Sequence, residues 1–441
     1  MQKQDNLKRE REREMRSGKE MVMLVLLAVL LGVVSGSSPA SDNQPSQRWW
    51  KSVFSGAGSS AVVNPIGSSV VFPMYGNVYP IGFYYVQLNI GNQLKPYFLD
   101  PDTGSDLTWL QCEPCHGCPK GPHPFYRRSN DLVACRDPLC ASLHSSEDYK
   151  CDEPERCPYE LEYADGGSFG LLVKDTLSLN LTNGICVSHR VAIGCGYNQT
   201  PGSSNHPLDG VLGLGKGKTS IVSQLQNQGL VRNVVGHCLS SRGGGFLFFG
   251  DDIYDSSQVV WTPMSPDYSH YSPGYAELTI GGKGTGYKNI LVLFDSGSSY
   301  TYLNSQAYQA FISSLRKELS GKPLREEPND KTLPLCWKGK KPFKNVLDVK
   351  KHFKPLALSF SNSWRAKSQF EIPPEAYLII SSKGNVCLGI LNGSEVGLEN
   401  ENVIGDISMQ GKMVIYDNEK QVMGWVSASC DRPPTSKAGF M

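Results

Sequence analysis

From Tyr79 onward, apolar and polar residues alternate with a period of two over short stretches separated by Gly, Pro and Asn, as in YYVQLNIG (84–91) and YAELTIG (275–281). This pattern predicts a mostly β chain of short strands and turns. Helical spacing is scarce. Ser305 to Leu319 places Tyr308, Phe311, Ile312, Leu315 and Leu319 on one face, and Thr219 to Leu230 predicts a shorter helix. Both stripes read as core. YELEYADGGSFGLLV (159–173) alternates into Asp165-Gly166-Gly167 and out again, which predicts a hairpin. Residues 39–78 are rich in Ser, Gly, Pro and Asn without a clear period, and are expected to form a linker or propeptide.

Met21 to Val34 is uninterrupted apolar sequence. As a helix it would be about 21 Å long, short of the ~30 Å hydrocarbon core of a bilayer. The small residues Ser35 to Ser38 follow it, as signal cleavage requires. Residues 1–38 are therefore expected to be a cleavable signal peptide, with a retained signal anchor as the alternative and translation from Met15 also open. No apolar tail precedes Met441, so no C-terminal lipid anchor is expected.

The alternating region repeats itself. The first copy runs from YYVQLNIG (84–91) through YFLDPDTGSDLTWL (97–110) to LDGVLGLG (208–215). The second runs from YAELTIG (275–281) through LVLFDSGSSYTYL (291–303) to NVIGD (402–406). The spacing from Asp102 to Gly213 matches that from Asp295 to Gly405 to within one residue. A duplicated lobe is the economical explanation. The division expected is a first lobe over 79–260, a second over 261–430, and a tail over 431–441.

Composition sharpens this. In 441 residues, 43 Lys and Arg balance 42 Asp and Glu, so nothing points to nucleic acid as a partner. Thirteen cysteines suit an oxidising compartment. Seven of them lie between 112 and 157. The C-x₂-C-x₂-C of Cys112, Cys115 and Cys118 has metal-site spacing, but disulfides are the better reading for a secreted chain, and no metal or cofactor is expected. Sequons stand at Asn180, Asn198 and Asn392. The G-x-S-x-G of Gly166 to Gly170 leads into an alternating strand, not the helix a hydrolase elbow needs. GLGKGKTS (213–220) has Leu212 where a phosphate loop needs Gly, and none of the eight histidines forms H-E-x-x-H.

What remains is a pair of D-[TS]-G turns, one per repeat. Amide hydrolysis without a metal needs a base to activate water and an acid to protonate the leaving group. Two carboxyls about 3 Å apart cannot both ionise easily and share one proton, a behaviour for which aspartic proteases are themselves the standard illustration. Two-fold-related lobes bring two equal Asp residues face to face.

On these residues the chain resembles the pepsin-type aspartic proteases (family A1) over roughly residues 80–430, most of all the plant nucellin-like and nepenthesin-like branch. The resemblance implies a bilobal, mostly β fold with two pseudo-two-fold-related lobes, a few short helices and a central substrate cleft. It implies that Asp102 and Asp295 are the catalytic pair, supported by Thr103, Gly104 and Ser105 and by Ser296, Gly297 and Ser298. Tyr163 falls at the flap tyrosine and Trp109 at the aromatic beside it. It further implies the disulfides Cys112–Cys115, Cys118–Cys195, Cys135–Cys157, Cys140–Cys151, Cys238–Cys430 and Cys336–Cys387. Cys186 is then left unpaired, as a buried thiol or an intermolecular bridge. Two departures stand out: Pro101 removes a backbone donor beside the first turn, and Asp106 adds a carboxylate able to shift a pH profile. No saposin-like insert fits the equal spacings. The expected activity is acidic endopeptidase cleavage of peptide or protein substrates by a monomer in the secretory pathway, in the apoplast or vacuole. The alternative is a non-catalytic binding or inhibitor protein.

Overall fold

The computed structural model describes residues 69–91, 93–144, 151–164, 166–200, 207–360 and 368–433. The apolar run Met21–Val34, residues 39–68 of the expected propeptide, and residues 434–441 of the expected tail lie outside them. Among the described residues, no helix is long and apolar enough to cross a membrane.

The chain folds as expected into two β lobes. Thirteen strands form one continuous sheet, and eight- and four-stranded sheets build the second lobe. The repeat appears as matching strand geometry. In the first lobe, Lys95–Asp102 enters the DTG turn and runs parallel to Gly210–Gly213, with Asp102 opposite Gly213. Trp109–His116 leaves the turn and pairs antiparallel with the same strand. In the second lobe, Ile290–Phe294 runs parallel to Asn402–Ile404, and Thr301–Leu303 pairs antiparallel with it. Each apolar-apolar-Gly strand is thus clamped between the strands entering and leaving an Asp turn. A Cβ on Gly213 would sit 2.4 Å from the Asp106 carbonyl carbon, and one on Gly405 2.1 Å from the Tyr300 carbonyl oxygen, so only glycine fits.

Three assignments differ from expectation. Val70–Asn77 is a strand, not the end of a linker. It turns Val70, Phe72 and Met74 inward and pairs with both Gly245–Phe249 and Phe83–Ile90. Pro73 and Gly76 interrupt a pattern that otherwise alternates, which is why it reads as irregular sequence. Second, Lys412–Asp417 and Val422–Ser427, assigned to the second lobe, join the first lobe's sheet by pairing Met413–Asp417 with Val234–Cys238. Third, the Thr219–Leu230 helix is shorter, Ile221–Asn227, capped by Ser220 and stopped at Gly229, where φ is +73°. The longer helix, Ser305–Leu319, forms as expected. Asn304 accepts from Ala307 N–H at 3.0 Å, and Phe311, Ile312, Leu315 and Leu319 are buried.

The disulfides correct four of the six pairings implied by resemblance. Cys112 joins Cys195 instead of Cys115, and Cys115 joins Cys118. Cys112 is fully buried on a strand whose parallel neighbour carries Cys195, with Cα atoms 5.2 Å apart, whereas Cys115 and Cys118 flank the turn at Gly117. Likewise Cys135 joins Cys151 and Cys140 joins Cys157. Cys140, on the inner side of the helix Pro138–Leu143, meets the buried Cys157 at the foot of the flap hairpin. Cys238–Cys430 and Cys336–Cys387 form as implied. Cys186 is unpaired but exposed, not buried.

Candidate active site

The two D-[TS]-G turns meet at the floor of a cleft of about 930 Å³, lined by Asp102 and Asp295. Their supports are symmetric. Gly104 N–H donates to Asp102 Oδ1 at 2.7 Å, and Gly297 N–H donates to Asp295 Oδ1 at 2.9 Å. Ser105 Oγ–H donates to Asp102 Oδ2, and Ser298 Oγ–H to Asp295 Oδ2 at 2.8 Å. The carboxyls face one another closely. A Cβ on Gly104 would lie 2.7 Å from Asp295 Oδ1, and a Cβ on Gly297 2.6 Å from Asp102 Oδ1. Each glycine therefore makes room for the opposite lobe's carboxylate.

Beneath them, the hydroxyls of Thr103 and Ser296 cross between the lobes. Thr103 Oγ1 accepts from Ser296 N–H at 2.9 Å and donates to the Phe294 carbonyl at 3.2 Å. Ser296 Oγ accepts from Thr103 N–H at 3.2 Å and donates to the Pro101 carbonyl at 2.6 Å. Pro101 lacks an N–H, yet its carbonyl completes this four-bond lattice. All of it is buried, where such bonds hold a geometry firmly.

A second symmetric pair was not anticipated from the sequence. Thr108 Oγ1 accepts from Gly213 N–H and Thr301 Oγ1 from Gly405 N–H, both at 3.2 Å. The threonines stand at the same offset from their aspartates in DTGSDLT and DSGSSYT, a signal that aligning the two copies exposes.

The hairpin forms from Pro158–Glu162 and Gly167–Asn180, with Glu162 opposite Gly167. Tyr163 lies at its tip over the cleft and accepts a hydrogen bond from Trp109 Nε1 at 2.7 Å. Asp165, in the expected turn, lies outside the described residues. Asp106 turns away from the pair: its Oδ1 accepts from Gly217 N–H at 2.8 Å, so it braces the turn after Gly213. Ser168, the serine of the G-x-S-x-G decoy, is buried in a strand against Tyr159 and Gln199.

Burial, and then the charge of Asp295, holds the Asp102 carboxyl well above the usual carboxylate range. Two further carboxyls, Asp100 and Asp406, are raised in the same way, by desolvation first and by neighbouring carboxylates second. Asp406 is buried immediately after Gly405. Asp100 lies in the cleft wall and was not singled out from the sequence, although a charge within the apolar run YFLDPD was the available signal. Among the described residues, the two groupings with metal-ligand reach each contain a disulfide-bonded cysteine pair, so their sulfurs are committed.

Residues 84–251 match the family model described as xylanase inhibitor N-terminal, and residues 278–427 the model described as xylanase inhibitor C-terminal. The chain is 45% identical over 390 residues to an aspartic proteinase of Oryza sativa subsp. japonica, spanning 85% of this chain and 95% of that one. It is 28% identical over 398 residues to aspartic proteinase 39 of Arabidopsis thaliana, spanning 84% and 80%. Among solved structures, the crystal structure of basic 7S globulin from soybean is similar in fold, with a TM-score of 0.64 at 17% identity, covering 84% of this chain and 99% of that one. With both halves matched in order and a relative at 45% identity along nearly its whole length, the chain belongs to the pepsin-type aspartic protease family.

Proposed function

We propose that the protein is an aspartic endopeptidase whose catalytic residues are Asp102 and Asp295. The observation that carries this reading is the close, symmetric facing of two carboxyls, each held by a glycine N–H and a serine hydroxyl at the floor of a cleft. With one proton shared, one carboxylate takes a proton from a water held between the pair. The other carboxyl gives its proton to the scissile carbonyl oxygen. The water oxygen bonds to the carbonyl carbon and forms a tetrahedral diol. The protonated carboxyl then gives its proton to the amide nitrogen while the ionised one takes a proton from a diol hydroxyl, so the C–N bond breaks, the amine and the carboxylic acid leave, and the singly protonated pair is restored. The cycle needs one ionised and one protonated carboxyl, which places activity on the acid side.

The alternative, a non-catalytic binding or inhibitor protein, has the description of the matched family models behind it. Both aspartates, both glycines and both supporting serines are nevertheless in place here, an arrangement a binder does not require. The relatives at 45% and 28% identity are named as proteinases.

The same reading places the chain in the secretory pathway, en route to the apoplast or vacuole. Six disulfides suit an oxidising compartment. A propeptide would be removed before Ser69, and the mature enzyme would act as a monomer. Asn180 and Asn198 are exposed and open to glycosylation. Asn392 is half-buried and its Nδ2 donates to Glu395 at 3.2 Å, which disfavours it.

The test is hydrolysis of a denatured protein from about pH 2 to 8, the span over which a carboxyl pair titrates, comparing wild type, Asp102→Asn and Asp295→Asn, each with and without a statine-type transition-state analogue. Acidic activity abolished by either substitution and by the analogue supports the reading. A folded, processed wild type without turnover overturns it in favour of the binding protein.

A further inference from the structure

Asp100 stands two residues before Asp102 on the strand Lys95–Asp102. Side chains two apart on a strand project from the same face, roughly 7 Å from one another. Leu99 and Pro101, on the opposite face, are buried. Asp100 accordingly lines the same cleft as Asp102 and Asp295.

The two-fold relation between the lobes separates this carboxyl from the catalytic arrangement. The position that corresponds to Asp100 in the second lobe is Leu293, two before Asp295, and it is buried and outside the cleft lining. Everything that supports the dyad occurs twice, whereas Asp100 occurs once. It marks the first-lobe wall, beside the apolar Ile81, Phe83 and Trp109. A charge on only one wall distinguishes the side chains of a bound peptide by their place relative to the scissile bond. The charged residues of the lining are all acidic: Asp100, Asp102, Glu162 and Asp295. That sign suits a cationic substrate group.

We propose that Asp100 is a specificity-determining residue, whose carboxylate receives the ammonium or guanidinium group of a lysine or arginine side chain flanking the scissile bond. This rests on the endopeptidase reading above. Asp102 on its own strand, Asp295 on the opposite turn, Asp406 behind that turn and Tyr163 on the flap are among the groups that interact with Asp100, and Glu162 on the flap shares the cleft lining with it. Burial and the neighbouring carboxylates hold Asp100 protonated at low pH, and an entering cation favours its ionised form. The preference for a basic residue therefore grows as pH rises.

The test uses a pair of fluorogenic peptides, identical except for lysine or norleucine at one residue flanking the scissile bond. A second pair carries the substitution on the other side of the bond. The ratio of kcat/KM for lysine over norleucine is measured from about pH 3 to 6.5, on the acid side where a carboxyl pair works, in wild type, Asp100→Asn, Asp100→Leu and Glu162→Gln. Because each ratio is taken within one enzyme, lost stability or altered dyad chemistry cancels. In one pair, wild type is expected to prefer lysine, increasingly so with pH. Asp100→Asn should lower that ratio by about 10- to 100-fold, the worth of a charge-assisted hydrogen bond, and flatten its pH dependence. Asp100→Leu should favour norleucine, and Glu162→Gln should leave the ratio near wild type. A ratio unchanged by Asp100→Asn, or lost instead with Glu162→Gln, overturns the proposal while leaving the endopeptidase reading intact. No cleavage of any peptide by wild type overturns the endopeptidase reading itself.

Discussion

Replacing Gly297 with alanine puts a methyl carbon 2.6 Å from Asp102 Oδ1 and 2.8 Å from its Cγ. These are the atoms that must meet Asp295 across the lobes. Ordinary contact requires the two to separate by about 0.8 Å, since carbon–oxygen pairs settle near 3.4 Å or beyond. The cross-lobe lattice of Thr103 and Ser296 lies directly below and resists a shift of the turns, so the strain falls on the carboxylate. Misplacing a reacting group by roughly 1 Å costs on the order of 100-fold in rate, equivalent to about 2.7 kcal/mol in the barrier. We therefore expect kcat to fall by about two orders of magnitude with the fold retained, because no left-handed φ at Gly297 penalises alanine. Gly104→Ala should behave alike, since its Cβ would lie 2.7 Å from Asp295 Oδ1. The assay is turnover of a fluorogenic peptide at the acid optimum, beside a calorimetric melt to establish folding. Folded alanine variants with kcat within about twofold of wild type would show that the facing carboxylates are not held as tightly as the geometry implies.

Thr103→Val deletes two buried cross-lobe bonds and strands the Phe294 carbonyl and the Ser296 N–H, at a cost of about 2–5 kcal/mol. With an unfolding entropy near 2.1 cal/mol/K per residue over the folded lobes, that is a drop of roughly 3–6 °C in Tm by calorimetry. Asp100, Asp102 and Asp406 have carboxyls raised in the folded state, which then binds more protons than the unfolded chain above about pH 4. Their contribution is present in full below the unfolded value and is lost as pH rises. Tm should therefore decline from mildly acidic towards neutral pH, and Asp406→Asn should flatten the decline. Non-reducing peptide mapping should recover Cys112 linked to Cys195 and Cys140 linked to Cys157; peptides linking Cys112 to Cys115 would contradict the fold. A chain starting at Ser69 should refold, whereas one starting at Tyr79 lacks Val70–Asn77, exposes the edges of two strands and should aggregate in a solubility assay.

What could be read from the sequence was whatever is local or repeated. The dyad, its flanking serines and glycines, and the flap hairpin are carried by short patterns recurring at matched spacing, and the long helix by its apolar stripe. The disulfide partners were not legible, because Cys112 chooses between Cys115 and Cys195 by which strand is packed beside it, a fact about register and not about spacing. Val70–Asn77 was hidden by Pro73, whose missing N–H is tolerated here in the strand facing Gly245–Phe249. Asp100 carries no motif of its own beside the triplet that follows it. Its significance depends on which residues line the cleft, and that requires the opposing lobe.

The pairing of Lys412–Asp417 with Val234–Leu239 has a consequence for biosynthesis. Val234 is partnered by Asp417, so its strand must wait for almost the end of the chain to be made. At about 5–20 residues per second, the delay is roughly 10–35 s. Throughout that interval the nascent first lobe carries an unsatisfied strand edge, and Cys238 lacks its final partner Cys430, 192 residues later. The ribosome thus releases a polypeptide whose central sheet closes last. Translation that stops short of residue 412 leaves a first lobe with its DTG turn in place but its sheet open, a substrate for chaperones and quality control and not a half-enzyme.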